Sequence, residues 1–212
     1  MKQSLFYDAT AFNPDNHAYL KRHKLNKLLE KAVQSPLVTV VANAGYGKTQ
    51  AVYSFLKSYK AVTIWLQLSR FDNLEDRFWE NFIQAMAVHN KGFAAQLAEI
   101  GFPGTARQFE RYVLLPRVET MASTKYIFVF DDFHLIREKS VLRFIENTLT
   151  TVSAPFPNIS TVLISRTEPA INTVGLTSKG LVFRINEDDL RFSQEELRQY
   201  FELLEISLTP QA

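Results

Sequence analysis

The chain has 212 residues, 46% of them hydrophobic, with 17 Phe; that is enough for one α/β domain with a substantial core and excludes a disordered or low-complexity segment. Its 24 basic and 22 acidic side chains leave a net charge of +2, which gives no electrostatic case for nucleic-acid binding by this segment. Zero Cys excludes disulfides, thiolate metal sites and a Cys nucleophile, the four scattered His lack zinc spacing, and no stretch reads as a membrane span or signal-peptide core, so the cytoplasm is the expected compartment.

Residues 1–17 read as a mixed N-terminal extension with a turn at Asn13-Pro14-Asp15-Asn16. Residues 18–34 read as a helix, with Leu25, Leu28, Leu29 and Val33 on one face and Pro36 ending the segment. On that helix Arg22 and Lys24 either reach a ligand or form a solvated basic face, the commoner outcome. Leu37-Val38-Thr39-Val40-Val41 is β-branched and apolar, as a buried parallel strand is. Ala42-Asn43-Ala44-Gly45-Tyr46-Gly47-Lys48-Thr49 follows, and then a helix to Tyr59 with Val52, Phe55 and Leu56 at helical spacing.

A glycine-rich turn between a strand and a helix points backbone N–H groups at phosphate oxygens, and the helix N-terminus adds partial positive charge. The nucleotide contacts expected here are Ala44, Gly45, Tyr46, Gly47, Lys48, Thr49 and Gln50. Lys48 would reach the β- and γ-phosphates, and the Thr49 hydroxyl would face Mg²⁺. The standard phosphate-loop pattern begins with Gly, and Ala42 stands there instead.

A second strand is expected at Val62 to Leu68, a loop at Phe71-Asp72-Asn73, and an amphipathic helix over 74–88. Residues 90–104 read as a short helix and a turn, and residues 105–120 as another helix. The apolar run Tyr126 to Phe130 then ends in Asp131 and Asp132. A buried parallel strand delivers such residues to the sheet edge where ligands bind. Asp131 is placed to hold Mg²⁺ with Thr49, and Asp132 to orient or deprotonate an attacking water. The plainer alternative is that both cap the next helix. His134 either touches that water or packs at the strand end.

Val141, Leu142, Ile145, Leu149 and Val152 mark a helix that stops before Pro155. A strand over 160–165 ends at Arg166, which either senses the γ-phosphate or pairs at the surface with Glu168. A connection over 169–180 leads to a strand at 181–185. Arg191 either approaches the nucleotide or pairs with Asp188, Asp189 or Glu195. The last helix opens on the capping-box pattern Ser193-Gln194-Glu195-Glu196.

Alternating strands and helices predict an α/β, three-layer fold with a mostly parallel five-stranded sheet. The expected order is 5-1-4-3-2, because Arg166 approaches the phosphates only if its strand lies beside the phosphate-loop strand. Residues 18–212 are read as a single P-loop NTPase domain.

In order, these segments resemble the ATPase domain of MalT-like, LuxR-type transcription activators, in the STAND class of AAA+-related ATPases. The likeness runs over about residues 20 to 204. It rests on Arg22 to Leu29, the Ala42–Thr49 loop, Trp65-Leu66-Gln67-Leu68 with Asp72-Asn73 and Arg77-Phe78-Trp79, Asp131-Asp132-Phe133-His134, Ser165-Arg166-Thr167-Glu168-Pro169, and Asp189-Leu190-Arg191-Phe192-Ser193. Ala42 is what that family uses at the first loop position; Asn43 replaces its usual Pro.

The resemblance implies a switch that binds ATP or ADP with Mg²⁺ and hydrolyses ATP slowly. In that family ADP holds the closed state, ATP with an inducer drives self-association, and a C-terminal helix-turn-helix binds DNA. The later domains of that family find no counterpart before Ala212, so the chain is expected to be an excised N-terminal part, with any DNA contact made through a domain outside it. The alternative is a scaffold that holds ADP, hydrolyses nothing and presents a surface to partners.

Overall fold

The computed structural model describes residues 20–105, 108, 124–152 and 158–203. The extension over 1–17 and nearly all of the helix expected over 105–120 lie outside them.

Five strands form one sheet: β1 (Leu37–Val41), β2 (Val62–Gln67), β3 (Tyr126–Asp131), β4 (Ile159–Ser165) and β5 (Val182–Ile185). Their order is β2-β3-β4-β1-β5, the expected order read from the other edge. Every neighbouring pair is parallel. The central strand β4 is buried along its whole length, with Ser160, Thr161 and Ser165 buried beside the apolar Val162-Leu163-Ile164.

The period-2 alternation of side chains divides the core between the two faces of the sheet. Val38, Val40, Val129, Val162 and Ile164 pack with Leu25 and Leu29 of α1 (His23–Ala32) and Val52 and Phe55 of α2 (Lys48–Ser58). Leu37, Phe130 and Leu163 face the opposite layer. That layer holds α3 (Glu75–Ala87), α4 (Lys91–Ile100) and α5 (Lys139–Val152). Phe78 stacks on Phe130 at 6.4 Å and meets Phe144 edge-on at 5.7 Å, while Trp79 and Phe82 stack at 5.2 Å. Each such fully buried side chain contributes about 1.5–3 kcal/mol of transfer free energy.

The short helix expected within residues 90–104 is present as the ten-residue α4. It is capped by the Asn90 side chain, which accepts the Phe93 N–H at 2.9 Å, and it ends at Gly101 with φ 69°. The Phe71-Asp72-Asn73 loop is a 3₁₀ turn over Arg70–Asn73. Asp72 is buried and takes the Ser69 N–H at 2.7 Å and the Asn81 amide at 2.9 Å. Asn73 takes the backbone N–H groups of Arg137 and Glu138 and donates to the Leu135 carbonyl. This motif therefore fastens α3 to the loop after β3.

The connection before β5 contains α6 (Val174–Ser178), and a one-turn helix α7 (Glu187–Leu190) follows β5. Both are too short to show helical periodicity. The expected capping box at the start of α8 (Gln194–Leu203) is present: Ser193 N–H donates to Glu196 at 2.8 Å and Glu196 N–H to Ser193 Oγ at 3.2 Å.

Arg22 corrects the reading of a solvated basic face. It is 6% exposed. Its guanidinium donates to both Glu196 carboxylate oxygens, at 3.1 and 3.2 Å, and to the carbonyls of Leu190 and Arg191, at 2.8 and 2.7 Å. It also lies over the Phe192 ring at 4.3 Å. The start of α1 is thereby tied to the segment after β5.

Candidate functional site

Three adjacent strands, β3, β4 and β1, carry the candidate residues to their C-terminal edge. After β1 the chain turns through Gly45 and Gly47, whose φ values are 86° and 68°. A Cβ at either position would meet no atom within 4 Å. Glycine is required there by backbone conformation rather than by space. Gly47 leads directly into α2, so the loop amides and the helix N-terminus face the same side. Lys48 folds back across the loop, and its ammonium donates to the carbonyls of Ala42 and Asn43, each at 2.8 Å.

The Thr49 hydroxyl lies 3.1 Å from Asp131 Oδ1 across the β1–β3 gap. The same oxygen accepts the Asp132 N–H at 2.8 Å. Asp131 is 1% exposed, and its Oδ2 has no hydrogen-bond partner. Burial pushes its carboxyl up to about 6, against the hydrogen bonds from Thr49 and the Asp132 amide. A buried carboxylate with a free oxygen beside a hydroxyl is a hard-oxygen donor set of the kind Mg²⁺ takes, with waters and phosphates completing the octahedron. Among the described residues no group of three or more His, Cys, Asp or Glu side chains could hold a metal. The fit is thus to a cation shared with phosphate rather than to an all-protein cage.

Asp132 adopts φ 55°, the one positive φ at a non-glycine among the described residues. Its Oδ2 accepts from Gln67 Nε2 at 2.8 Å. Its Oδ1 lies 3.9 Å from His134 Nδ1, too far for a hydrogen bond. The His134 nitrogen is buried without a partner. Burial lowers the His134 pKa, and Arg166 and Lys48 lower it further against the pull of Asp132, so the ring is neutral at pH 7. Asp132 does not cap the following 3₁₀ turn with its side chain.

Arg166 is exposed and makes no ion pair among the described residues; the surface pair with Glu168 is not formed. It acts instead on the site: the Lys48 pKa is lowered by burial and then by Arg166, with Asp131 and Asp132 opposing. Lys48 therefore lies within electrostatic reach of Arg166, Asp131 and Asp132. Gln50 is turned along α2, donating to Ser54 Oγ at 3.2 Å. Ala44 is exposed in the loop turn.

Tyr46 is half-buried, and its hydroxyl lies beside Glu187, which raises its pKa. Arg191 pairs with Asp188 at 3.2 Å, as expected, and with Glu187 at 3.5 Å, which the sequence reading did not anticipate. Gln67 and Glu187 were likewise missed. The one available signal was a polar Gln67 closing an apolar strand in register with Asp131.

No family model matches the chain. Among curated proteins, the HTH-type transcriptional regulators MalT of Vibrio campbellii and Vibrio cholerae are each 29% identical over 195 residues, 87% of this chain. The chain is homologous to MalT. It spans only 20% of the length of those relatives. Among solved structures, a Walker-type ATPase of Pyrococcus abyssi superposes with a TM-score of 0.52 at 13% identity, over 90% of this chain and 60% of that one. The parallel sheet, its strand order and this likeness give the fold of a P-loop NTPase. No helix among the described residues is long and apolar enough to cross a membrane.

Proposed function

We propose that this domain binds Mg·ATP and Mg·ADP, hydrolyses ATP slowly and serves as the nucleotide-dependent switch of a MalT-like regulator. The observation that carries this reading is the convergence of Lys48, the Thr49–Asp131 pair, Asp132 and Arg166 at one sheet edge, beside a loop shaped by two left-handed glycines. The amides of Ala44 to Gly47 and the Lys48 ammonium bind phosphate oxygens. Thr49 and Asp131 Oδ2 hold Mg²⁺, which neutralises phosphate charge when bound. Asp132 Oδ1, the oxygen that Gln67 does not occupy, orients the attacking water. Arg166 distinguishes a γ-phosphate from its absence. The homology to MalT supports a regulatory use of this chemistry, with self-association and DNA binding belonging to the larger protein.

The test is calorimetry of Mg·ATP and Mg·ADP binding, with phosphate release followed on the same sample, for wild type and Lys48→Ala. Binding with slow release, both lost in Lys48→Ala while the fold persists, is the expected result. Equal ATP affinity in that variant removes the phosphate-loop assignment. Tight ADP binding with zero phosphate release makes the domain a nucleotide-holding scaffold instead.

A further inference from the structure

The carboxylate of Glu187 comes from α7, beyond β5, yet it sits on the phosphate loop. It accepts the Asn43 side-chain amide at 3.1 Å. The Tyr46 hydroxyl and the Asn43 backbone N–H lie beside it: Glu187 raises the Tyr46 pKa, and the two neighbours lower that of Glu187. Asn43 and Tyr46 flank Ala44-Gly45, so one carboxylate bonds one shoulder of that turn and lies against the other. Arg191 pairs with Glu187 at 3.5 Å and lies beside the Tyr46 hydroxyl.

Glu187 is itself fixed from both directions. The Asn186 side chain caps α7 by accepting the Asp188 N–H at 2.9 Å, and Asp189 accepts the Asn186 N–H at 2.9 Å. Four residues on, Arg22 grips the carbonyls of Leu190 and Arg191. The clamp on the loop is therefore built on a braced segment and not on a free side chain.

We infer that Glu187, steadied by Arg191, is a positioning residue that holds the phosphate loop in its ligand-binding shape through Asn43 and Tyr46. The inference rests on the proposed nucleotide binding and extends it outside the motif. A glycine-bearing loop has many backbone states, and a bond to one side of its turn with a contact on the other reduces the number that must be given up on binding. Both are partly open to water, so their loss is expected to weaken binding about threefold to tenfold.

The experiment is a double-mutant cycle on Mg·ADP affinity, by calorimetry, with Glu187→Ala, Tyr46→Phe and the double variant, and with thermal unfolding measured for each. Tyr46→Phe keeps the ring that packs on the core and removes only the hydroxyl. Affinity should fall about threefold to tenfold in Glu187→Ala and less in Tyr46→Phe. The double variant should be no weaker than Glu187→Ala, and Glu187→Gln, which still offers an acceptor, should recover part of the loss. Wild-type affinity in Glu187→Ala, or two losses that multiply independently, overturns the inference while leaving the nucleotide reading intact. A loss of affinity that follows the melting temperature and vanishes on cooling reduces Glu187 to a structural role and also overturns it. A wild type that binds no Mg·ADP removes both readings.

Discussion

Replacing Arg22 by Ala tests the bond between α1 and the segment after β5. The Arg22 and Glu196 side chains are 7% and 16% exposed, so both charges are largely withdrawn from water. Removing one partner of a fully buried pair costs about 3–5 kcal/mol, chiefly because the other is left uncompensated. Here Glu196 retains some contact with water and its capping bond to Ser193, which reduces that cost. The lost donors to the Leu190 and Arg191 carbonyls add to it. The expected destabilisation is about 2–4 kcal/mol, a fall of about 5–15 °C in melting temperature for a chain of this size. Burial alone would raise the Glu196 carboxyl, but the hydrogen bonds from Arg22 and Ser193 prevail and its pKa is lowered from 4.5. A depressed folded-state pKa gives stability that is present above 4.5 and is lost as pH falls through the folded value. The difference between wild type and Arg22→Ala in urea unfolding should therefore be largest near pH 7 and shrink below pH 4.5. A loss under about 0.5 kcal/mol at pH 7 would refute the anchor. A loss that is the same at both pH values would place its strength in the carbonyl contacts rather than in the ion pair.

Three further outcomes follow from the acidic pair. Asp131→Asn should stabilise the nucleotide-free domain at pH 7.5: the rise from 3.8 to about 6 corresponds to about 3 kcal/mol as an upper figure. A raised folded-state pKa gives stability that is present below 3.8 and lost as pH rises through 6, so denaturant unfolding should show the gain at pH 7.5 and almost none near pH 3.5. The same variant should lose the Mg²⁺ dependence of ATP binding. Asp132→Asn should keep nucleotide affinity and slow phosphate release, by about 10²–10⁴-fold if Asp132 serves as the base; equal turnover would assign the water to another group.

Much of the fold was legible because its elements carry long, unbroken patterns. The apolar runs of β1, β3 and β4 read as buried strands, and their terminal residues, Thr49 beyond the loop, Asp131 and Arg166, implied the strand order through the need to meet one ligand. That order is the observed one. The misses were short or locally determined. The α6 and α7 helices span five and four residues, little more than one turn, and show no period. Asp72 and Asn73 form a motif whose purpose appears only when Arg137, Glu138 and Asn81 are brought beside it.

The site divides along the same line. Residues within a strand–loop–helix unit announce themselves, since spacing alone places Gly45, Gly47, Lys48 and Thr49. Residues that work across elements do not. Gln67 reaches Asp132 only because β2 pairs with β3 in the register Gln67 to Asp131. Glu187 reaches Asn43 only because β5 pairs with β1, so that the chain leaving β5 emerges beside the phosphate loop. Arg22 shows the converse error: by composition a basic helix face belongs in water, and one cation of that face is instead buried because a carboxylate, two carbonyls and an aromatic ring from one later segment converge on it. The same segment, Asn186 to Glu196, thus touches the phosphate loop at one end and α1 at the other.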